Sequence, residues 1–256
     1  MKNIIKVAVL GSTGYTGLEL INILYKHPKV DIIFLGSKNS KEKKLQNIYS
    51  IFKKYKLPVL KDYSEMNYKN VDLVFLSLPH KISQKIICKN YGKTKFIDLS
   101  ADFRLKNHKI YLENYKTKHL CKNLLKKFIY GLPELNYNSI KSASNIAIPG
   151  CYPTSILIPL APLINKKLIK TDNIIIDSKS GYSGAGKKFN IEKLIKKNNL
   201  NFYNYNTNQH RHICEIKQEL EKISSSKVKF SFNPHILPIF RGMMSTIYCD
   251  LENNVK

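Results

Sequence analysis

Apolar runs alternate with amphipathic stretches along most of this chain. Ile4 to Leu10 (IIKVAVL) predicts a buried strand, and Leu18 to Tyr25 a helix that stops near His27-Pro28. Asp31 to Leu35 predicts a second strand, residues 40 to 55 a basic helix, and Val71 to Leu78 a third strand. A helix over residues 81 to 91 and a short strand from Phe96 to Leu99 follow. Strands alternating with helices predict a parallel sheet with crossover helices. Runs this apolar predict a sheet covered on both faces.

Residues 104 to 142 are less regular and rich in Lys, Asn and Tyr. Asn145 to Ile148 predicts another strand, and about Ser155 to Leu168 a helix. The second half then reads as a strand (Ile174 to Lys179), a Gly-rich loop, a helix, and a second helix over about 210 to 223. Strands at Val228 to Phe232 and Met244 to Leu251 end the pattern. The natural cut gives two domains, 1–148 and 149–256. No run of eighteen apolar residues is present, so no membrane span is predicted. The N-terminus enters a strand without a signal-peptide core, which predicts a cytoplasmic protein.

Charge changes the picture less than it first promises. The chain carries 43 basic and 18 acidic residues, a net +25. Only Arg104, Arg211 and Arg241 are Arg; the other 40 basic residues are Lys, beside 32 Ile and 25 Asn. That combination reads as A/T-driven coding drift. The Lys are also spread along the chain rather than gathered into one stripe, so nucleic acid is not the expected partner. Where drift favours Lys, an Arg stands out as a place that needs a planar fork for carboxylate or phosphate. The five Cys (88, 121, 151, 214, 249) are odd in number, widely spaced and without a Cys-x-x-Cys. A disulfide framework and a zinc site are therefore not expected. Cys88, Cys121, Cys214 and Cys249 are expected to be small buried thiols.

Two turns carry candidate chemistry. Gly11-Ser12-Thr13-Gly14-Tyr15-Thr16-Gly17 follows a strand and opens a helix, a context in which backbone N–H groups can face a pyrophosphate. The end of the second strand reads Gly36-Ser37-Lys38, with no acid to hold a ribose hydroxyl, which favours a 2′-phosphate and hence NADP. Pro149-Gly150-Cys151-Tyr152-Pro153-Thr154 places a Cys at a strand-to-helix turn, where the helix dipole favours the thiolate. A thiol that attacks an acyl group needs a proton partner near neutral pH. His210-Arg211-His212 supplies two candidates, and helical period alone does not decide between them. His235 adds no clean metal-ligand set, so no metal is expected. Ser183-Gly184-Ala185-Gly186-Lys187 could be a second backbone cradle.

Taken together, these residues resemble the N-acetyl-γ-glutamyl-phosphate reductases, NADPH enzymes of arginine biosynthesis. The matching pieces also include Leu78-Pro79-His80, the Asp98 to Leu105 segment, Gly131 to Glu134 and Arg241-Gly-Met243. They come in the family's order and span essentially the whole chain. The resemblance implies a Rossmann-like doubly wound parallel sheet followed by an α+β catalytic domain with a mixed sheet, of semialdehyde-dehydrogenase type. It implies Cys151 as the nucleophile and His210 as the acid/base, with His212 in reserve and also near the substrate. Arg104, Arg211 and Arg241 would hold the substrate's charges. Gly11 to Gly17, Ser37, Lys38, Pro79, Ser183, Gly184 and Gly186 would line NADP(H). The resemblance further implies a homo-oligomer, dimer or tetramer. It also implies more strands and a helix beyond residue 256, so the catalytic domain is expected to be incomplete at its C-terminus. A lysine-pathway acyl phosphate remains an alternative substrate, and a non-catalytic nucleotide-binding chain an alternative reading.

Overall fold

The computed structural model describes residues 4–187 and 201–253. The chain forms two compact units. The first comprises Met1–His108, Lys118–Gly131 and Asn136–Ile148, and the second Lys109–Thr117, Leu132–Leu135 and Pro149–Lys256.

The strands of the first unit are β1 (Ile5–Leu10), β2 (Val30–Gly36), β3 (Leu60–Lys61), β4 (Leu73–Leu76), β5 (Lys95–Asp98), β6 (Ile129–Tyr130) and β7 (Asn145–Ala147). They form one sheet in the order β3-β2-β1-β4-β5-β7-β6. Every neighbouring pair is parallel. The helices along this part of the chain are α1 (Tyr15–Tyr25), α2 (Leu45–Ile48), α3 (Ile82–Asn90), α4 (His108–Tyr115) and α5 (Pro133–Ser142), the last kinked at Asn136. Alternate residues of β1 feed two separate cores, as the side-chain period of a strand requires. Ala8 and Leu10 pack with Val74, Leu76, Phe96 and Phe128. Val7 and Val9 pack with Ile21, Leu35, Phe52 and Leu60. Strand order reverses at β1, the point where open parallel sheets bind ligands beyond the strand ends.

Two expectations are corrected here. Residues 40 to 55 are not one helix: only α2 and a 3₁₀ turn at Ser50–Phe52 form. The backbone at Glu42 and Lys43 is drawn into pairing with Leu60 instead (Glu42 N–H to Leu60 O, 2.7 Å; Leu60 N–H to Lys43 O, 2.9 Å). Cys88 and Cys121 are not free thiols but are joined by a disulfide across 33 residues. The fold brings α3 beside the segment before Lys122, an approach that residue spacing does not reveal.

The second unit holds α6 (Cys151–Asn165), α7 (Ile213–Ser224), and strands β8 (Ile174–Gly181), β9 (Tyr203–Asn204), β10 (Phe230–Leu237) and β11 (Met243–Tyr248). Its sheet runs β11-β8-β10-β9. The central pair β8 and β10 is parallel, and both outer pairings are antiparallel. The sheet is therefore mixed, as expected. Its core contains Ile156, Leu157 and Leu160 of α6, Ile216 and Leu220 of α7, and Ile174, Ile176 and Phe232 of the sheet. Helix α6 starts at Cys151, four residues before the expected start. Strand β10 runs past Pro234, because that residue lacks a donor but its carbonyl still accepts the Tyr205 N–H (3.0 Å). The helix expected just after the Gly-rich loop lies outside the described residues. Among the described residues no helix is long and apolar enough to cross a membrane.

Candidate active site

The glycine turn of the first unit is built by close backbone approach. Gly11 has φ +87°, and a Cβ there would sit 2.1 Å from the Ser77 carbonyl oxygen. A Cβ on Gly17 would sit 2.2 Å from the Gly11 oxygen, whereas at Gly14 the nearest atom is 3.5 Å away. The N–H groups of Gly11 and Ser12 both go to Gly36 O, and that of Gly14 to Gly11 O. The first turn of α1, Tyr15, Thr16 and Gly17, carries the backbone N–H groups that intrahelical bonding does not use. The N-cap is Gly14, without a side-chain cap, and the first turn holds no acid. Ser12 is buried on Val9 O, and the Thr13 and Ser37 hydroxyls meet at 3.3 Å. Lys38 and Pro79 are exposed beside this end of the sheet.

The thiol lies in the second unit. Cys151 is the first residue of α6, after an extended Gly150 N-cap, and its side chain is exposed. It lines a cavity of about 460 Å³ with Tyr152, Gly184, Tyr205, His210, Arg211 and His212. His210 is 8% exposed and ringed by Tyr152, Tyr205 and Phe232 at 5.4 to 5.7 Å between centroids. Its Nδ1 accepts the His212 N–H (3.1 Å), which places the ring proton on Nε2. Burial, helped by the Arg211 charge, holds its pKa down at about 4, so the ring is neutral at physiological pH.

The same electrostatics separate the free cysteines. Burial, and then the Glu215 charge, push the Cys214 thiol up to about 12. Burial, and then Asp250, raise Cys249. Both are held as thiols, whereas Cys151 is exposed at a helix N-terminus, where the dipole favours an anion. The tyrosines of the cavity also stay protonated: burial first, then the neighbouring Tyr205 hydroxyl, raise Tyr152, and burial raises Tyr205. Tyr205 OH donates to Tyr152 OH (3.3 Å), which donates to the His235 carbonyl (3.3 Å).

Some anticipated residues gather in the cavity and others do not. Cys151, His210, His212, Arg211 and Gly184 share it. Gly184, expected on the cofactor, lines the same cavity as the thiol. Arg241 is exposed outside the cavity lining, on a loop tied to β8 by Gly181 N–H to Gly242 O and Ser183 N–H to Phe240 O. Gly186, at φ +78°, lets the chain turn after this loop. Arg104 belongs to the first unit and is 7% exposed. Its guanidinium donates to Ile148 O (2.8 Å) and Leu99 O (2.9 Å), so part of its fork is spent on main chain. The residues that sequence reasoning passed over are Tyr205, Gln209 and Glu215. Tyr205 and Gln209 line the cavity, and the Glu215 carboxylate accepts the Gly150 N–H at 2.8 Å. Glu215 lies five residues after His210 in the same motif, but nothing local marks a partner 65 residues away.

A parallel-sheet unit with a glycine turn at its switch point, followed in the chain by a unit that carries a thiol beside a buried imidazole, defines the class of semialdehyde dehydrogenases. Residues 6–143 match the family described as "Semialdehyde dehydrogenase, NAD binding domain", and residues 151–256 the one described as "Semialdehyde dehydrogenase, dimerisation domain". Within that class the chain belongs to the N-acetyl-gamma-glutamyl-phosphate reductase family. It is 43% identical over 254 residues to the protein of that name from Ehrlichia canis (strain Jake), covering 98% of this chain and 73% of that one. It is 42% identical over 252 residues to the one from Caldicellulosiruptor bescii, again covering 98% and 73%. The fold is shared with aspartate semialdehyde dehydrogenase II from Vibrio cholerae, at a TM-score of 0.73 and 19% identity over 97% of this chain and 75% of that one. It is also shared with the aspartate semialdehyde dehydrogenase solved with NADP from Candida albicans, at a TM-score of 0.63 and 19% identity over 99% and 73%.

Proposed function

We propose that this chain catalyses the NADPH-dependent reductive dephosphorylation of N-acetyl-γ-glutamyl phosphate to N-acetyl-glutamate 5-semialdehyde. The observation that carries the reading is an exposed thiol at the first position of α6, in one cavity with a buried neutral histidine and an arginine. Cys151 attacks the acyl carbon as the thiolate, its proton having been released to solvent; the carbon–oxygen bond to phosphate breaks, and phosphate leaves with the electron pair. The product is a thioester on Cys151. His210 shares its Nε2 proton with the acyl oxygen as that oxygen gains charge, and recovers it when the adduct collapses. Arg211 is the guanidinium we assign to an anionic end of the substrate, with Arg241 in support from the loop beside β8. His212 holds the His210 tautomer through its N–H.

The glycine turn fits a dinucleotide. A Cβ on Gly17 would strike the Gly11 carbonyl oxygen at 2.2 Å, so glycine lets the turn close tightly over the start of α1, which has no side-chain cap and no acid in its first turn. Gly11 to Gly17, Ser37, Lys38 and Pro79 are the residues that would hold the dinucleotide, Lys38 taking a 2′-phosphate. When bound, it supplies the hydride that reduces the thioester to the aldehyde. Ser183 and Gly186 flank Gly184, which lines the thiol cavity. A homo-oligomer fits the exposed Met244 and Tyr248 on edge strand β11. The test is the reverse reaction: phosphate-dependent reduction of NADP⁺ by the purified protein with N-acetyl-glutamate semialdehyde. Turnover that requires phosphate supports the reading. Retained NADPH binding with no turnover overturns it and leaves a nucleotide-binding protein.

A further inference from the structure

Glu215 does for α6 what that helix cannot do for itself. A helix often has its N-cap N–H satisfied by a Glu at its own third position, the reciprocal half of a capping box. In α6 that third position is Pro153, and the N-cap is Gly150, which has no side chain to contribute. The Gly150 N–H goes instead to Glu215 Oε1 at 2.8 Å, reaching from the first turn of α7. Gly150 is then fixed at both ends. Its carbonyl accepts the Thr154 N–H (3.0 Å) and the Thr154 hydroxyl (2.9 Å). Glu215 is 1% exposed, so its carboxylate bears on this turn from inside the protein. The same first turn of α7 also steadies the imidazole: Ile213 N–H bonds His210 O, Ile216 N–H bonds His212 O, and His212 N–H bonds His210 Nδ1.

We propose that Glu215 is a positioning residue for the reaction: by holding the Gly150 peptide it sets the direction of the Cys151 thiol and locks the thiol turn to the turn that carries His210. This deepens the reading of Cys151 as nucleophile and rests on it. A carboxylate near a thiolate opposes its ionisation. Glu215 therefore acts through geometry and against the local electrostatics, and the two contributions can be told apart.

The experiment compares wild type with Glu215→Gln and Glu215→Ala. It reads kcat and KM in the phosphate-dependent reverse reaction, and the rate of Cys151 alkylation by iodoacetamide, resolved by peptide mass with Cys214 and Cys249 as internal references. Glutamine keeps an acceptor for the Gly150 N–H. Glu215→Ala is expected to lower kcat about 100-fold with KM changed by less than about threefold, as for a displaced reacting group. It is also expected to slow Cys151 alkylation at least about tenfold, while Glu215→Gln keeps both within about fivefold of wild type. Faster alkylation in Glu215→Ala, or a Glu215→Gln as impaired as Glu215→Ala, would show that charge matters and the hydrogen bond does not. Unchanged kcat and alkylation in Glu215→Ala would remove the role altogether. If Glu215→Ala does not fold, Glu215→Asp decides: its shorter side chain falls short of Gly150, so retained kcat and alkylation overturn the proposal. If wild type itself does not turn over, the proposed reaction fails, and the alkylation series still reads the positioning.

Discussion

Helices α1 and α6 both start after a glycine N-cap, without a side-chain cap and without an acid in the first turn, yet they are finished differently. At α1 the glycines exist for backbone crowding: Gly11 and Gly17 stand where a Cβ would strike a carbonyl oxygen. Its first turn carries neither a side-chain cap nor an acid, the setting in which a helix start favours an anion. At α6 a buried carboxylate from another helix takes the N-cap donor, and the first residue is a thiol. The same local device, a positive helix end, thus serves binding in one unit and reactivity in the other. What separates the two is whether the protein closes the turn itself.

The largest expected effect breaks the reactive end alone. Cys151→Ser should lower kcat by on the order of 10⁴-fold or more, while NADPH affinity, read by fluorescence titration, stays within about twofold. A Cys151→Ser variant that still turns over would move the nucleophile elsewhere. Next is His210→Gln. It removes the ring proton that the acyl oxygen shares and should lower kcat by about 10²- to 10⁴-fold, the usual range for a general acid or base. A loss of less than about fivefold would pass the role to His212.

The binding end has its own contrast within a single turn. Gly17→Ala puts a methyl group 2.2 Å from the Gly11 oxygen, whereas Gly14→Ala meets nothing nearer than 3.5 Å. Gly17→Ala should weaken NADPH binding at least about tenfold, because the turn must open to admit the methyl group. Gly14→Ala leaves the turn itself undistorted, so its loss, which reads only the approach of the ligand, should be smaller than that of Gly17→Ala. Equal losses in the two variants would show that the glycines are needed for something other than the close approach of Gly17 to Gly11.

How far each turn was legible in the sequence follows from the range of its interactions. Gly11, Gly14 and Gly17 stand beside the strand and helix they join, so one short stretch shows all of that turn. Cys151 was visible for the same reason. Glu215 was not, because its partner Gly150 is 65 residues away and only the packing of α6 against α7 brings them together. Tyr205 escaped notice because nothing local sets it apart from the Asn and Tyr residues around it, and the Cys88–Cys121 disulfide escaped because spacing gave no cue. Residues 40 to 55 misled in the opposite sense. Their helical composition is overridden by the pairing of Glu42 and Lys43 with Leu60.

The smallest effect is in stability against pH, where the two units carry buried groups of opposite sense. Asp98, fully buried in the first unit, has its pKa raised to about 6 by burial, opposed by the Ser100 hydroxyl and reinforced by Asp102. A raised carboxyl binds its proton more tightly in the folded state. Its contribution is full below the unfolded value of 3.8 and is lost as pH rises towards about 6. His210 in the second unit has a pKa lowered from 6.5 to about 4, so the unfolded state takes up the proton first and stability falls as pH drops through that window. Between about pH 4 and 6 the two slopes oppose each other, each limited to about 1.4 kcal/mol per pH unit. Asp98→Asn should therefore make urea stability rise more steeply from pH 4.5 to 6 than in wild type, and His210→Gln should make it flatter or falling. Parallel profiles for all three proteins would show that neither group titrates as its burial requires.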